Sequence, residues 1–192
     1  MRARMALTLA GIEVEIREIS LRDKPEHMLQ ISPKGTVPVL VLPNGKVIDE
    51  SLAIMYWALQ QYDPQALLDE DVVKMSELIA ENDGSFKQAL DCYKYPERNF
   101  QYKHEKTQLQ YRQQGEVFLL QLEKFLEQNT YLLKSTPSLA DLAIFPFVRQ
   151  FAEVDSAWFG RTPYPKLLIW LNGWINSELF KIVMTKNPTF VG

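Results

Sequence analysis

Cysteine is nearly absent from this chain: Cys92 is the one thiol in 192 residues. A single cysteine excludes an intramolecular disulfide framework and suits a reducing compartment, the cytoplasm. Its neighbours Asp91, Tyr93 and Lys94 supply no helix N-terminus to lower its pKa, so it reads as an inert, packed residue. Histidine is as scarce. His27 and His104 stand far apart and match no metal-ligand spacing, so they are read as surface residues and no metal is expected. The eight glycines are dispersed, and none builds a phosphate-cradling loop or a Gly-x-Ser-x-Gly elbow. Positive charge is not in excess. The formal net charge is -3, which argues against nucleic acid as a general partner. No apolar run reaches the ~18–20 residues of a membrane-spanning helix. Met1-Arg2-Ala3-Arg4 followed by Met5 to Ala10 imitates a secretion signal, but the apolar part is short and meets a charged alternating segment. It reads as the body of an amphipathic helix, with Arg2 and Arg4 in solvent.

What the chain does have is hydrophobic mass, 46% of residues, in two different patterns. Residues 1–10 are helix formers with no cap ahead of them, so the chain starts as if inside a helix, and Gly11 ends it. Ile12-Glu13-Val14-Glu15-Ile16-Arg17 alternates and predicts a half-buried strand. Pro25 to Ile31 predicts a short helix. Val37 to Leu42, the turn Pro43-Asn44-Gly45 and Lys46 to Ile48 predict a β-hairpin, with a helix from Glu50-Ser51 to about Gln61. Pro64 to Asp69 is a linker. Beyond it only helices are predicted: Asp71 to Tyr93, Glu105 to Gln128 (Val117, Leu120 and Phe125 inward), Ser138 to Phe151, Pro165 to Asn176 and Ser177 to Met184. Residues 1–63 thus form a small α/β domain, and residues 70–192 an all-α one.

Chemistry concentrates between Ser32 and Trp57. Pro38 opens the predicted strand, where it cannot donate to a ladder. A cis Val37–Pro38 bond there would turn the Val37 backbone N–H and C=O outward, toward an extended peptide. Glu50-Ser51 opens a helix whose free N–H groups and dipole attract a carboxylate; the Ser51 hydroxyl adds a donor and Glu50 accepts from an ammonium. A small peptide with a free amino-acid end fits these parts. The plain alternatives are a bare N-cap and an ordinary edge-strand proline.

Ser-Pro-x-Gly-x-Val-Pro-Val-Leu, a hairpin and then Asp-Glu-Ser-x-Ala-Ile resembles the glutathione-binding half of the cytosolic glutathione transferases, nearest the bacterial-type groups that use Cys or Ser. The resemblance implies a thioredoxin-like α/β domain, here N-terminally truncated, followed by an all-α helical domain. It implies that Val37 and Pro38 dock the cysteinyl backbone of glutathione, that Glu50 and Ser51 hold its γ-glutamyl end, and that Lys34 reaches one of its carboxylates. Glutathione would be a co-substrate, conjugated to an apolar electrophile or exchanged with a disulfide, in a homodimer. The family's Tyr, Ser or Cys that acts on the thiolate stands before the first helix, so here it is expected upstream of Met1, together with the central strand. Without that strand, Ile12–Ile19 and Val37–Leu42 would have unpaired inner edges. A non-catalytic binding or regulatory module of the same fold is the alternative. Ser138-Leu139-Ala140-Asp141 resembles the family's capping box and is assigned to folding. Tyr93, Tyr95, Phe100, Tyr102 and Tyr111 are candidates either for a co-substrate pocket or for helix packing and dimer contact.

Overall fold

The computed structural model describes residues 1–69, 71–97 and 106–190. They form two compact units, one of residues 1–64 with 177–192 and one of residues 65–176.

The first unit is built on α1 (Arg2–Leu9), α2 (Glu26–Ile31), the strands β1 (Leu40–Val41) and β2 (Val47–Ile48), α3 (Ser51–Gln61) and α10 (Glu178–Val183). Helix α1 buries Ala3, Met5, Ala6 and Leu7 and packs on α3, which buries Ile54, Met55, Ala58 and Leu59. Gly11 closes α1 with φ +62°, the conformation that favours glycine, and its N–H bonds the Thr8 carbonyl at 3.1 Å. Arg2 and Arg4 do not reach free solvent as expected. Arg2 is 6% exposed, and Arg4 is paired with Glu18. Both lie on a helix whose two sides are covered, by α3 and by α10.

The hairpin has the predicted turn. Gly45 takes φ +83°, its N–H bonds the Leu42 carbonyl, and Asn44 Oδ1 accepts from the Lys46 N–H. The strands are shorter than the sequence pattern, with Leu40 opposite Ile48 and Val41 opposite Val47. The predicted strand at 12–17 forms no regular element and joins no ladder; among the described residues the isolated bridges near it are those of Glu18 to Thr189 and Ser20 to Asp23. Alternation favours an extended chain, but a strand needs a neighbour. Among the described residues the backbone groups of residues 13–17 have none.

The second unit holds α4 (Val72–Glu81), α5 (Lys87–Lys94), α6 (Gln108–Gln128), α7 (Leu139–Val154), α8 (Ser156–Phe159) and α9 (Pro165–Asn176). Helix α7 is its axis, buried nearly all round from Leu139 to Ala152. Ser138 and Asp141 make the expected capping box, and Asp141 does more. Its buried carboxylate accepts from the Ser138 N–H and Oγ, the Leu132 N–H and the Trp170 Nε1. Burial pushes its pKa up, and those donors pull it back.

Helix α6 turns a different face inward than expected. Val117 and Leu120 are 68% and 46% exposed, while Tyr111, Gly115, Phe118, Leu119, Leu122 and Leu126 are buried. Gly115 sets this rotation, because a Cβ there would stand 2.4 Å from the Phe151 ring of α7. Glu123 is buried on the same face. Its two carboxylate oxygens accept from the Lys166 and Leu167 N–H groups at 3.0 and 2.7 Å, capping α9 from another helix. Glu123→Ala is expected to cost about 2–3 kcal/mol, since it leaves buried donors unmet. Urea unfolding monitored by circular dichroism checks this, and Glu123→Gln should recover part of the loss.

Candidate functional site

The loop from Ser32 to Pro38 and the start of α3 carry the residues singled out in the sequence. Gly35 takes φ +60° and its N–H bonds the Ser32 carbonyl at 2.9 Å, closing a tight turn that carries Lys34. The Lys34 Nζ lies 3.0 Å from an Asp49 carboxylate oxygen and 3.5 Å from a Glu50 one. Its pKa is raised, first by the hydrogen bond to Asp49 and then by that carboxylate's charge. The structure therefore brings Lys34 and Glu50 together. It also adds Asp49, to which the sequence reading gave no role although it stands in the Asp-Glu-Ser triplet; a carboxylate just before a helix N-cap was the available signal.

Two features leave the site open. The Val37–Pro38 bond is cis, and Val37 is 47% exposed with its backbone N–H and C=O unbonded among the described residues. Glu50 is the N-cap of α3, yet its side chain makes no cap hydrogen bond to the first-turn N–H groups of that helix. Ser51, the first helical residue, is half-buried there. Donors on a helix axis, a hydroxyl and an exposed carboxylate are the complement of a zwitterionic amino-acid end.

Glutathione S-transferase models match the chain over both units: the N-terminal domain at residues 1–66 and the C-terminal domain at residues 72–178. The chain belongs to the glutathione S-transferase family. It is 29% identical to the probable glutathione S-transferase parA of Nicotiana tabacum over 93% of this chain and 80% of that one. It is 31% identical to a probable glutathione transferase of Aplysia californica over 41% of this chain and 85% of that one. Among solved structures, a glutathione transferase family member from Pseudomonas fluorescens pf-5, with two glutathione bound, superposes with TM-score 0.78 at 16% identity, over 94% of this chain and 86% of that one. A glutathione S-transferase from Rhodospirillum rubrum F11 gives 0.75 at 20% identity, over 98% and 88%. These two likenesses fix the fold: a thioredoxin-like N-terminal domain and a helical C-terminal one.

Of the other candidates, Tyr93, Tyr111 and Cys92 fall in the packing of this transferase-family chain. Tyr93 and Tyr111 are buried, and the Tyr93 ring lies 5.0 Å from that of Phe151. Tyr95 is half-buried, with the Lys94 ammonium 5.1 Å from its ring. Phe100, Tyr102 and His104 lie outside the described residues, as does Glu105, the expected start of the helix to Gln128. His27 is half-buried, its ring edge-on to Phe190 at 5.6 Å, which departs from the surface position expected. Cys92 is buried, and burial raises its pKa against a lowering hydrogen bond from Tyr111. Its thiol is expected to react slowly with a chromogenic disulfide reagent at neutral pH and at full stoichiometry only in denaturant.

Proposed function

We propose that this chain binds glutathione at the Lys34–Pro38 loop and the N-terminus of α3. The Val37 backbone takes the cysteinyl part, and Ser51 with the free N–H groups of α3 takes the γ-glutamyl carboxylate. Glu50 holds the ammonium, and Lys34 turns from Asp49 toward the second carboxylate. The observation that carries this reading is the uncapped start of α3 beside the Lys34–Glu50 pair. Two solved neighbours hold glutathione species: two bound glutathione in the Pseudomonas fluorescens protein and oxidized glutathione in a Phanerochaete chrysosporium one. With glutathione fixed, the reaction is attack of its thiol sulfur, which loses its proton, on an apolar electrophile so that the whole glutathionyl group becomes attached, or thiol–disulfide exchange with a disulfide that releases the other thiol, in a cytoplasmic homodimer. Holding the thiol beside its acceptor supplies the proximity term of such a reaction.

Calorimetric titration with glutathione at two salt concentrations tests the assignment. Lys34→Ala is expected to weaken binding about three- to tenfold at low salt and less at high salt, because an exposed ammonium acts through screened charge. Unchanged affinity in that variant would remove Lys34 from the site.

A further inference from the structure

Lys34 does not stand free beside the start of α3. Its Nζ donates to an Asp49 carboxylate oxygen at 3.0 Å and reaches a Glu50 one at 3.5 Å. The turn beneath it is tight. The Gly35 N–H bonds the Ser32 carbonyl, Gly35 takes φ +60°, and a Cβ there would stand 3.2 Å from the Leu29 side chain. This turn holds the Lys34 backbone, while the side chain, 58% exposed, has solvent to swing into.

Two cations thus need one carboxylate. Glu50 is the group that takes the ligand ammonium, and it has the Lys34 ammonium beside it before any ligand arrives. The two ammonium groups repel one another and draw on the same oxygens. Asp49 keeps Lys34 in place, since its oxygen is the nearer of the two. A ligand with a single amino-acid end must move Lys34 aside and gives it nothing in return. A ligand with a second carboxylate within reach pairs the displaced ammonium again.

On the glutathione reading above, on which this rests, we infer that Lys34 is a built-in competitor for Glu50. It makes the site select γ-glutamyl peptides that carry a second free carboxylate over those whose far end is neutral. Lys34 therefore acts with opposite signs on two ligands: it attracts the far carboxylate where there is one and blocks the ammonium site where there is none. The side chains of Lys34 and Glu50 are 58% and 68% exposed, so the competition is weak and screened. If Lys34 occupies Glu50 for about half to about four-fifths of the time, the affinity of a ligand that needs Glu50 free falls about two- to fivefold.

The probes are glutathione and glutathione with its glycyl carboxylate converted to the amide, each titrated into the full chain and followed by NMR. Lys34→Met keeps the length of the side chain and removes its charge. It is expected to weaken glutathione about three- to tenfold and to tighten the amide about two- to fivefold. A lysine that only met the far carboxylate would leave the amide unmoved, so the opposite signs are what the competition adds. At about 1 M salt, where the screening length is about 3 Å, the tightening should shrink toward none. With Glu50→Gln already in place, Lys34→Met should no longer tighten the amide. Unchanged or weaker amide binding in Lys34→Met would overturn the competitor role, and so would a tightening that survives Glu50→Gln. Glutathione that failed to bind the parent would overturn the glutathione reading and the competitor with it, whereas bound glutathione with an unmoved amide overturns the competitor alone.

Discussion

Replacing Asp141 by alanine is expected to lower the stability of the chain by about 3–5 kcal/mol, the largest loss from any single side chain considered. The carboxylate is fully buried and is met by two backbone N–H groups, a hydroxyl and an indole N–H, at 2.7 to 3.0 Å. Each buried donor left unmet costs about 1–3 kcal/mol, and the four are not independent, so the sum is capped below their total. The network joins the first turn of α7 to the segment at Leu132 and to α9, which is more than a cap supplies. A cap alone is worth about 0.5–2 kcal/mol. Asp141→Asn should fall between parent and alanine variant, since its one carbonyl oxygen still accepts. Urea unfolding by circular dichroism and tryptophan fluorescence gives the numbers. A loss under about 1 kcal/mol with an unchanged urea slope would mean that the neighbourhood re-pairs its donors.

The second large effect concerns the ligand. Glu50→Ala combined with Ser51→Ala is expected to weaken glutathione binding about 100-fold. Two charge-assisted hydrogen bonds are lost, each worth about 1.5–3 kcal/mol when formed to a charged group, and 1.4 kcal/mol is a factor of ten. Folding should change little. Glu50 is exposed and its side chain makes no cap hydrogen bond to α3, so the double variant removes no cap bond. The thermal midpoint of the variant therefore serves as its own control. Retained affinity would place the γ-glutamyl end elsewhere.

These effects were legible in the sequence to different degrees, for physical reasons. Local chemistry read well. Asn44-Gly45 sets its turn by side-chain acceptance and positive φ, Gly11 closes α1, and Ser138 with Asp141 builds its box within four residues. Relations between distant segments did not read. The partners of Asp141 at Leu132 and Trp170, and the grip of Glu123 on α9, depend on packing that no spacing encodes. The inward face of α6 does not follow from its apolar residues, because Val117 and Leu120 outweigh a glycine and a glutamate in the pattern. Gly115 and Glu123 are what lie against the neighbouring helices.

A single helix was expected from Asp71 to Tyr93. Instead residues 82–86 form a π-helical turn that buries Asn82 and Phe86 between α4 and α5. A period of 3.6 cannot reveal one widened turn. The short α8 was missed because four residues carry no periodicity; its Asp155 cap, bonding the Trp158 N–H at 2.9 Å, was the visible sign. At the candidate site the sequence supplied Val37, Pro38, Glu50, Ser51 and Lys34. It did not supply the Asp49 partner that holds Lys34 in place.

The central claim is that glutathione sits between the Val37 loop and the start of α3. An amide-resolved NMR titration of the parent chain with glutathione tests it most directly. The account predicts saturable shifts concentrated at Lys34, Val37, Ser51 and Leu52, with the second unit unmoved near Asp141 and Glu123. No shift at millimolar glutathione, or shifts centred away from residues 34–52, would contradict it.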